Sequence, residues 1–232
     1  MINLSQEEIS AIYLSLKIAF TASITSMPLA IIIGYLFARK NFAFKKLIMS
    51  FVNLPLILPP VVTGYLLLIL FGKNGPIGSF LLNYFNFTFA FKWTGAAFAC
   101  AIMGFPLMVR SIKLAIEMID TKIEEAAMTI GANKLIVFFT ITLPLALPGI
   151  IAGFILSFAR SLGEFGATIT FVSNIPGETQ TLSTAIYNFL QIPNGEYFAM
   201  RLTIISIFIS ITALVLSEVI FEKFIKYKRE EY

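Results

Sequence analysis

The chain has 232 residues, of which 58% are hydrophobic, 24 are Phe and only 13% are charged, where a soluble domain carries about 25% charged residues; this is membrane composition. It holds no His, a single Cys (Cys100) and a single Asp (Asp120), which excludes metal sites built on His or paired Cys, Ser-His catalysis, an aspartyl dyad and an intrachain disulfide. The net charge is +4 and the pI about 9.1, a balance that the loop charges of a membrane protein explain without a nucleic-acid partner.

A bilayer core about 30 Å thick needs about 20 mostly apolar residues per helix. The first such run covers 13–37. Glu7 and Glu8 precede it where a cleaved signal would be basic, and the run is too long for one, so it is expected to stay as a span. Lys17 sits near its outer end and can snorkel to the interface. The second run, 47–71, contains Pro55, Pro59 and Pro60, each of which removes a backbone hydrogen bond and kinks a helix. Such breaks are tolerated where protein or a water-lined cavity covers the freed carbonyls, so packing kinks and a pathway role both remain open. The third run is 93–116, with Cys100 as a small hydrophobe inside it.

A polar insert follows. Thr121, Lys122, Ile123 and Glu124 fit a capping box, and the spacing predicts a helix over 122–130 with Ile123, Ala127 and Ile130 on one face. Gly131 is placed to end it in the left-handed conformation. So short a helix is marginal alone in water, so it must lie on lipid or dock into protein. Ala126 and Ala127 leave a slim waist that suits a protein groove, whereas lipid favours Trp, Phe and Leu.

The fourth run is 144–172. Arg160 and Glu164 lie one turn apart in it, where ionisable side chains are expensive and functional by default. Gly163 and Gly166 allow close helix approach there. Between this run and the last, 202–221, Pro176, Gly177, Pro193 and Gly195 flank a short apolar stretch, 182–190, that is too short to span and is expected as an interfacial or surface helix. Glu218, Glu222 and Lys226 fall at the inner end of the last span, where they are expected to be solvated.

Arg39, Lys40, Lys45 and Lys46 follow the first span; Arg110, Lys113, Lys122 and Lys134 follow the third; Lys223, Lys226, Lys228 and Arg229 close the chain. The opposite side has only Lys73, Lys92 and Arg201. Cytoplasmic loops carry the positive excess, which puts the N-terminus outside, the C-terminus inside and the polar insert in the cytoplasm. Gly72-Lys73 is followed by Asn74, so the phosphate-loop motif is missing and ATP is not bound by that route.

Glu125-Ala126-Ala127, three residues, Gly131, nine residues, Ile141, one residue and Leu143-Pro144 resemble the EAA loop of binding-protein-dependent ABC importer permeases. LPLILPPVVTGYLLL (54–68), FPLMVRSIKLA (105–115) and FARSLGEFGATITFVSNIPGETQT (158–181) are similar to the molybdate branch of that family nearly end to end. Sulfate permeases share the Gly-Glu-Phe-Gly feature, and tungstate is nearly the size and charge of molybdate.

The resemblance implies an all-α polytopic membrane protein with the type I ABC importer permease fold: one domain, 1–232, with five transmembrane helices in the cytoplasmic (inner) membrane. Some members carry an extra N-terminal helix, for which this chain is expected to have no room. The helix at 122–130 becomes the coupling helix, with Glu124, Glu125, Ala126, Ala127, Ile130 and Gly131 as its coupling residues. The implied partners are a second copy of the chain, two ATPase subunits, an external substrate-binding protein and membrane lipid, with no nucleic acid. The chain is expected to hold no cofactor and catalyse nothing. Arg160 and Glu164 are either a structural ion pair or, if Glu164 is held elsewhere, a pathway site at which Arg160 attracts a dianion. Two rival classes are an ion-coupled secondary transporter, which should show inverted repeats that are not found here, and a membrane-embedded enzyme, against which the residue inventory argues.

Overall fold

Ser5 and Glu8 start the first helix. The Glu8 carboxylate accepts the Ser5 N–H at 2.7 Å and the Ser5 hydroxyl accepts the Glu8 N–H at 3.3 Å, a reciprocal cap. From there α1 runs over Gln6–Arg39, 34 residues, or about 50 Å at 1.5 Å per residue, so it projects beyond the apolar stretch 13–37. The computed structural model describes residues 4–230, with side chains as far as Leu216 and at Val219. Glu218, Glu222, Lys226 and the other basic residues of the tail therefore lie outside the described side chains. Among the described residues every regular element is helical.

The stretch 47–71 is two helices, α2 (Lys45–Ile57) and α3 (Pro60–Phe71), bent by 111°. Neither Pro59 nor Pro60 has an N–H to donate, and Leu58 before them is extended (φ −66°, ψ 142°) because the proline ring clashes with a helical predecessor. The break is sharper than a kink. No residue of α2 is buried, whereas α3 buries Thr63, Gly64 and Leu67. A further short helix, α4 (Pro76–Phe85), follows.

The centre of the bundle is α5 (Trp93–Glu117), which packs against both α1 and α8 (Leu143–Leu162), and these two also pack on each other. Small residues set the close approaches: Gly104 faces the Ser157 hydroxyl, and a Cβ on Gly153 would lie 3.1 Å from the Met108 carbonyl oxygen. Cys100, Met103, Met108, Val109, Ile112 and Ile116 fill the α5 core.

The fourth span requires a correction. After α6 (Thr121–Thr129), α7 (Lys134–Val137), a π-turn (Phe138–Thr142) and α8 form one rod of 29 residues, Lys134–Leu162. The span thus starts earlier than 144 and ends at Gly163 instead of 172. Beyond the break, α9 (Gly166–Val172) turns onto α3. There a Cβ on Gly166 would lie 2.7 Å from Pro60 Cβ, and a Cβ on Gly64 would lie 2.5 Å from the Ala167 carbonyl oxygen. The helices expected as the second and fourth spans are therefore both broken, and their C-terminal pieces pack backbone to backbone.

The stretch 182–190 forms α10 (Leu182–Phe189), capped by the Thr181 hydroxyl. Leu182, Ala185 and Phe189 pack on Ala11, Ala199 and Leu202, so this helix belongs to the bundle and does not lie free at the interface. The last helix, α11 (Glu196–Glu230), begins before residue 202. Four helices among the described residues are long and apolar enough to cross a membrane, and five if α2 and α3 count as one bent span.

Candidate functional site

On α6 the capping expectation is corrected. The cap is Asp120, whose carboxylate accepts the Lys122 N–H at 3.0 Å, and the helix covers 121–129, shifted from 122–130. Thr121 is inside it. Glu124 points away from the helix start: its Oε2 lies 3.0 Å from Arg39 Nε on α1, and its Oε1 accepts from Arg39 Nη2 at 3.2 Å and from the Thr142 hydroxyl at 2.7 Å. The same Arg39 nitrogen donates to the Ile119 carbonyl at 3.0 Å. Both charged side chains are about nine-tenths buried (11% and 10% exposed). With its carboxylate turned to Arg39 and Thr142, Glu124 is directed away from the backbone N–H groups at the helix start.

Gly131 ends the helix with φ +100°, and a Cβ there would meet nothing within 4 Å. The opposite side of α6 is open. Glu125 and Ala126 are exposed, Ala127 is half-buried, and Ile130 is 89% exposed, with Ile123 and Leu135 beside it also exposed. Between α6 and the C-terminal end of α1 a polar cavity of about 180 Å³ is lined by Tyr35, Arg39, Lys40, Glu125 and Lys134. The residues expected to act together thus divide: Glu124 faces the bundle, Glu125 borders the cavity beside α1, and Ala126 and Ile130 are exposed.

Arg160 Nη1 lies 2.7 Å from Glu164 Oε2, with Glu164 1% and Arg160 29% exposed. The two residues do not share one helix face, because α8 ends at Leu162 and the contact bridges its end. Glu164 Oε1 also accepts the Ala167 N–H at 2.8 Å, so the same carboxylate starts α9. That second role was invisible in the sequence, where the run looked unbroken.

Two further contacts, at the N-terminal half of α1, were also missed. Glu8 is fully buried and paired with Arg201 of α11, whose Nε donates to Glu8 Oε1 at 2.7 Å. Lys17 Nζ sits 3.7 Å from the centre of the Trp93 ring, so its charge rests on an aromatic face of α5. The Ser5-x-x-Glu8 pattern could have signalled the first of these by its cap. Nothing local in the sequence links Glu8 to Arg201.

Long apolar helices around a small-residue core, with a short helix held out on one side and its apolar face uncovered, define a polytopic membrane protein. The chain belongs to the family described as binding-protein-dependent transport system inner membrane component, which matches residues 26–226. It is 56% identical over 211 residues to the molybdenum transport system permease protein of Haemophilus influenzae, covering 91% of this chain and 92% of that one. With the sulfate transport system permease protein of Salmonella typhimurium the identity is 37% over 183 residues, covering 79% of this chain and 66% of that one. A bacterial alginate ABC transporter, solved in complex with an alginate pentasaccharide-bound periplasmic protein, superposes with a TM-score of 0.72 at 17% identity over 92% of this chain and 77% of its own, a likeness of fold alone.

Proposed function

We infer that the chain is the membrane permease of an ATP-driven importer that carries molybdate across the inner membrane. The observation that carries this reading is the 56% identity to a molybdenum permease along 91% of the chain, against 37% to a sulfate permease. Tungstate, close to molybdate in size and charge, is the expected second substrate. Two copies of the chain pair in the membrane, each gripping an ATPase subunit through the exposed side of α6, and an external binding protein delivers the ion. The alginate transporter, solved with a periplasmic protein, supports the last partner by analogy of fold.

The uncovered apolar face of α6, from Ile123 to Ile130, supports its role as the coupling helix. ATP-driven closure of the ATPase pair draws the two coupling helices together and opens the pathway outward; hydrolysis resets it. The ATPase supplies the chemistry and the permease supplies the path. The N-terminus lies outside and the C-terminus inside, as the loop charges require. For Arg160 and Glu164, the close contact and the capping of α9 favour the structural role over a pathway site.

The test is uptake of labelled molybdate by cells that depend on this permease, with sulfate and tungstate as competitors. ATP-dependent uptake that tungstate suppresses and sulfate does not is expected. Equal competition by sulfate would overturn the substrate, and uptake insensitive to ATP depletion would overturn the class.

A further inference from the structure

Three elements meet at the carboxylate of Glu124: α6, which carries it; the end of α1, through Arg39; and the π-turn at the foot of α8, through Thr142; Arg39 also holds the Ile119 carbonyl in the link between α5 and α6. The rest of α6 is largely open, with Lys122, Ile123, Glu125 and Ala126 all exposed. A nine-residue helix with one buried charged foot cannot shift without moving that foot, because a buried carboxylate separated from its guanidinium is too costly to leave unpaired. A π-turn is a backbone irregularity that often marks a functional position. This one has its last residue, Thr142, bonded to the foot and leads without a break into α8, which carries Arg160 in its last turn and ends at Leu162 before the break at Gly163.

We propose that Arg39, Glu124 and Thr142 form a positioning node that passes movement of the docking helix into α1 and α8. The proposal rests on the reading of α6 as the ATPase-docking helix and deepens it: Glu125, Ala126 and Ile130 would meet the partner, while the node converts displacement of α6 into displacement of the spans. Arg39 and Thr142 touch neither ATP nor substrate. They determine how much transport each hydrolysis event yields.

The experiment uses the full permease–ATPase complex in proteoliposomes with the molybdate-loaded binding protein. It measures the amount of assembled complex, ATP hydrolysis with and without binding protein, and molybdate moved per ATP. Thr142→Val keeps the side-chain volume and removes only the hydroxyl; Arg39→Lys keeps the charge and loses the fork that reaches Glu124 and Ile119 together. Both variants are expected to assemble like the parent and to hydrolyse ATP at the parent's basal rate. Molybdate moved per ATP and stimulation by binding protein should fall about tenfold, within the usual range of a coupling free energy. A merely structural node would lower the yield of complex and leave molybdate per ATP unchanged; that result overturns the proposal, as does a parent-like ratio in both variants. The parent complex is its own control: if it moves no molybdate, the functional reading fails first, whereas a working parent with unaffected variants sinks the node alone.

Discussion

Arg160 and Glu164 are bound across the end of a helix, at 2.7 Å, with the carboxylate buried and its other oxygen holding the first turn of α9. Removing either partner strands the other charge, at about 3–5 kcal/mol for a buried pair. Arg160→Ala and Glu164→Ala should each lower the amount of folded permease in the membrane, and Glu164→Ala the more, since it also frees the Ala167 N–H. The double change to Leu should recover part of the loss for the charges but none for the cap. If Arg160→Gln folds normally yet slows uptake, Arg160 faces the pathway and the structural role is wrong.

The crossing of α3 and α9 depends on two glycines. A Cβ on Gly64 would lie 2.5 Å from the Ala167 carbonyl oxygen and 2.8 Å from its Cα, both backbone atoms that cannot step aside. Gly64→Ala should push the helices apart and cost roughly 1–3 kcal/mol, the usual range for overpacking, seen as a lower melting temperature of the detergent-purified protein. Gly163 at the break has open space and φ −90°, so Gly163→Ala should melt close to the parent. Equal effects at both positions would refute the close crossing.

Gly131 poses the opposite problem, with free space but φ +100°. A side chain there pays about 1–2 kcal/mol for the left-handed backbone and tilts the open end of α6. Gly131→Leu should leave the spans inserted while the ATPase co-purifies poorly. Undiminished complex and transport would show that this end of α6 is not a docking surface.

The outer end of the bundle is tied by Glu8 and Arg201, which join α1 to α11. Arg201→Ala leaves a fully buried carboxylate without its guanidinium and should lower the melting temperature by several degrees. Adding Glu8→Gln to it should restore part of that loss. Additive effects of the two changes in a double-mutant cycle would mean that the pair contributes no coupling.

Orientation is open to cysteine labelling of intact cells. Asn83 and Pro193 are exposed at one end of the bundle and Lys46 and Lys134 are exposed at the other. Single cysteines at the first two should react with an impermeant reagent, and those at the last two only after lysis. Labelling of Lys134→Cys in intact cells would invert the topology.

Composition and periodicity fixed the class of protein, since a chain this apolar has few ways other than membrane-spanning helices to satisfy its backbone. Pro59-Pro60 and Gly131 were legible for the same kind of reason: each acts on its own φ and its own hydrogen bond, so the break at Leu58 and the left-handed end of α6 are local facts. Charged pairs were not. Glu124 looked like a cap and proved to be a foot on Arg39, 85 residues away; Glu8 found Arg201, 193 residues away; Lys17 found Trp93. A buried charge takes the partner that the packed helices bring within reach, and that choice costs or gains more than any local cap. The end of the fourth span at Gly163 was hidden likewise, because an apolar run reads the same whether it continues straight or turns. Only the backbone contact of Gly64 and Gly166 between α3 and α9, together with a carboxylate placed to restart the helix, decided that it turns.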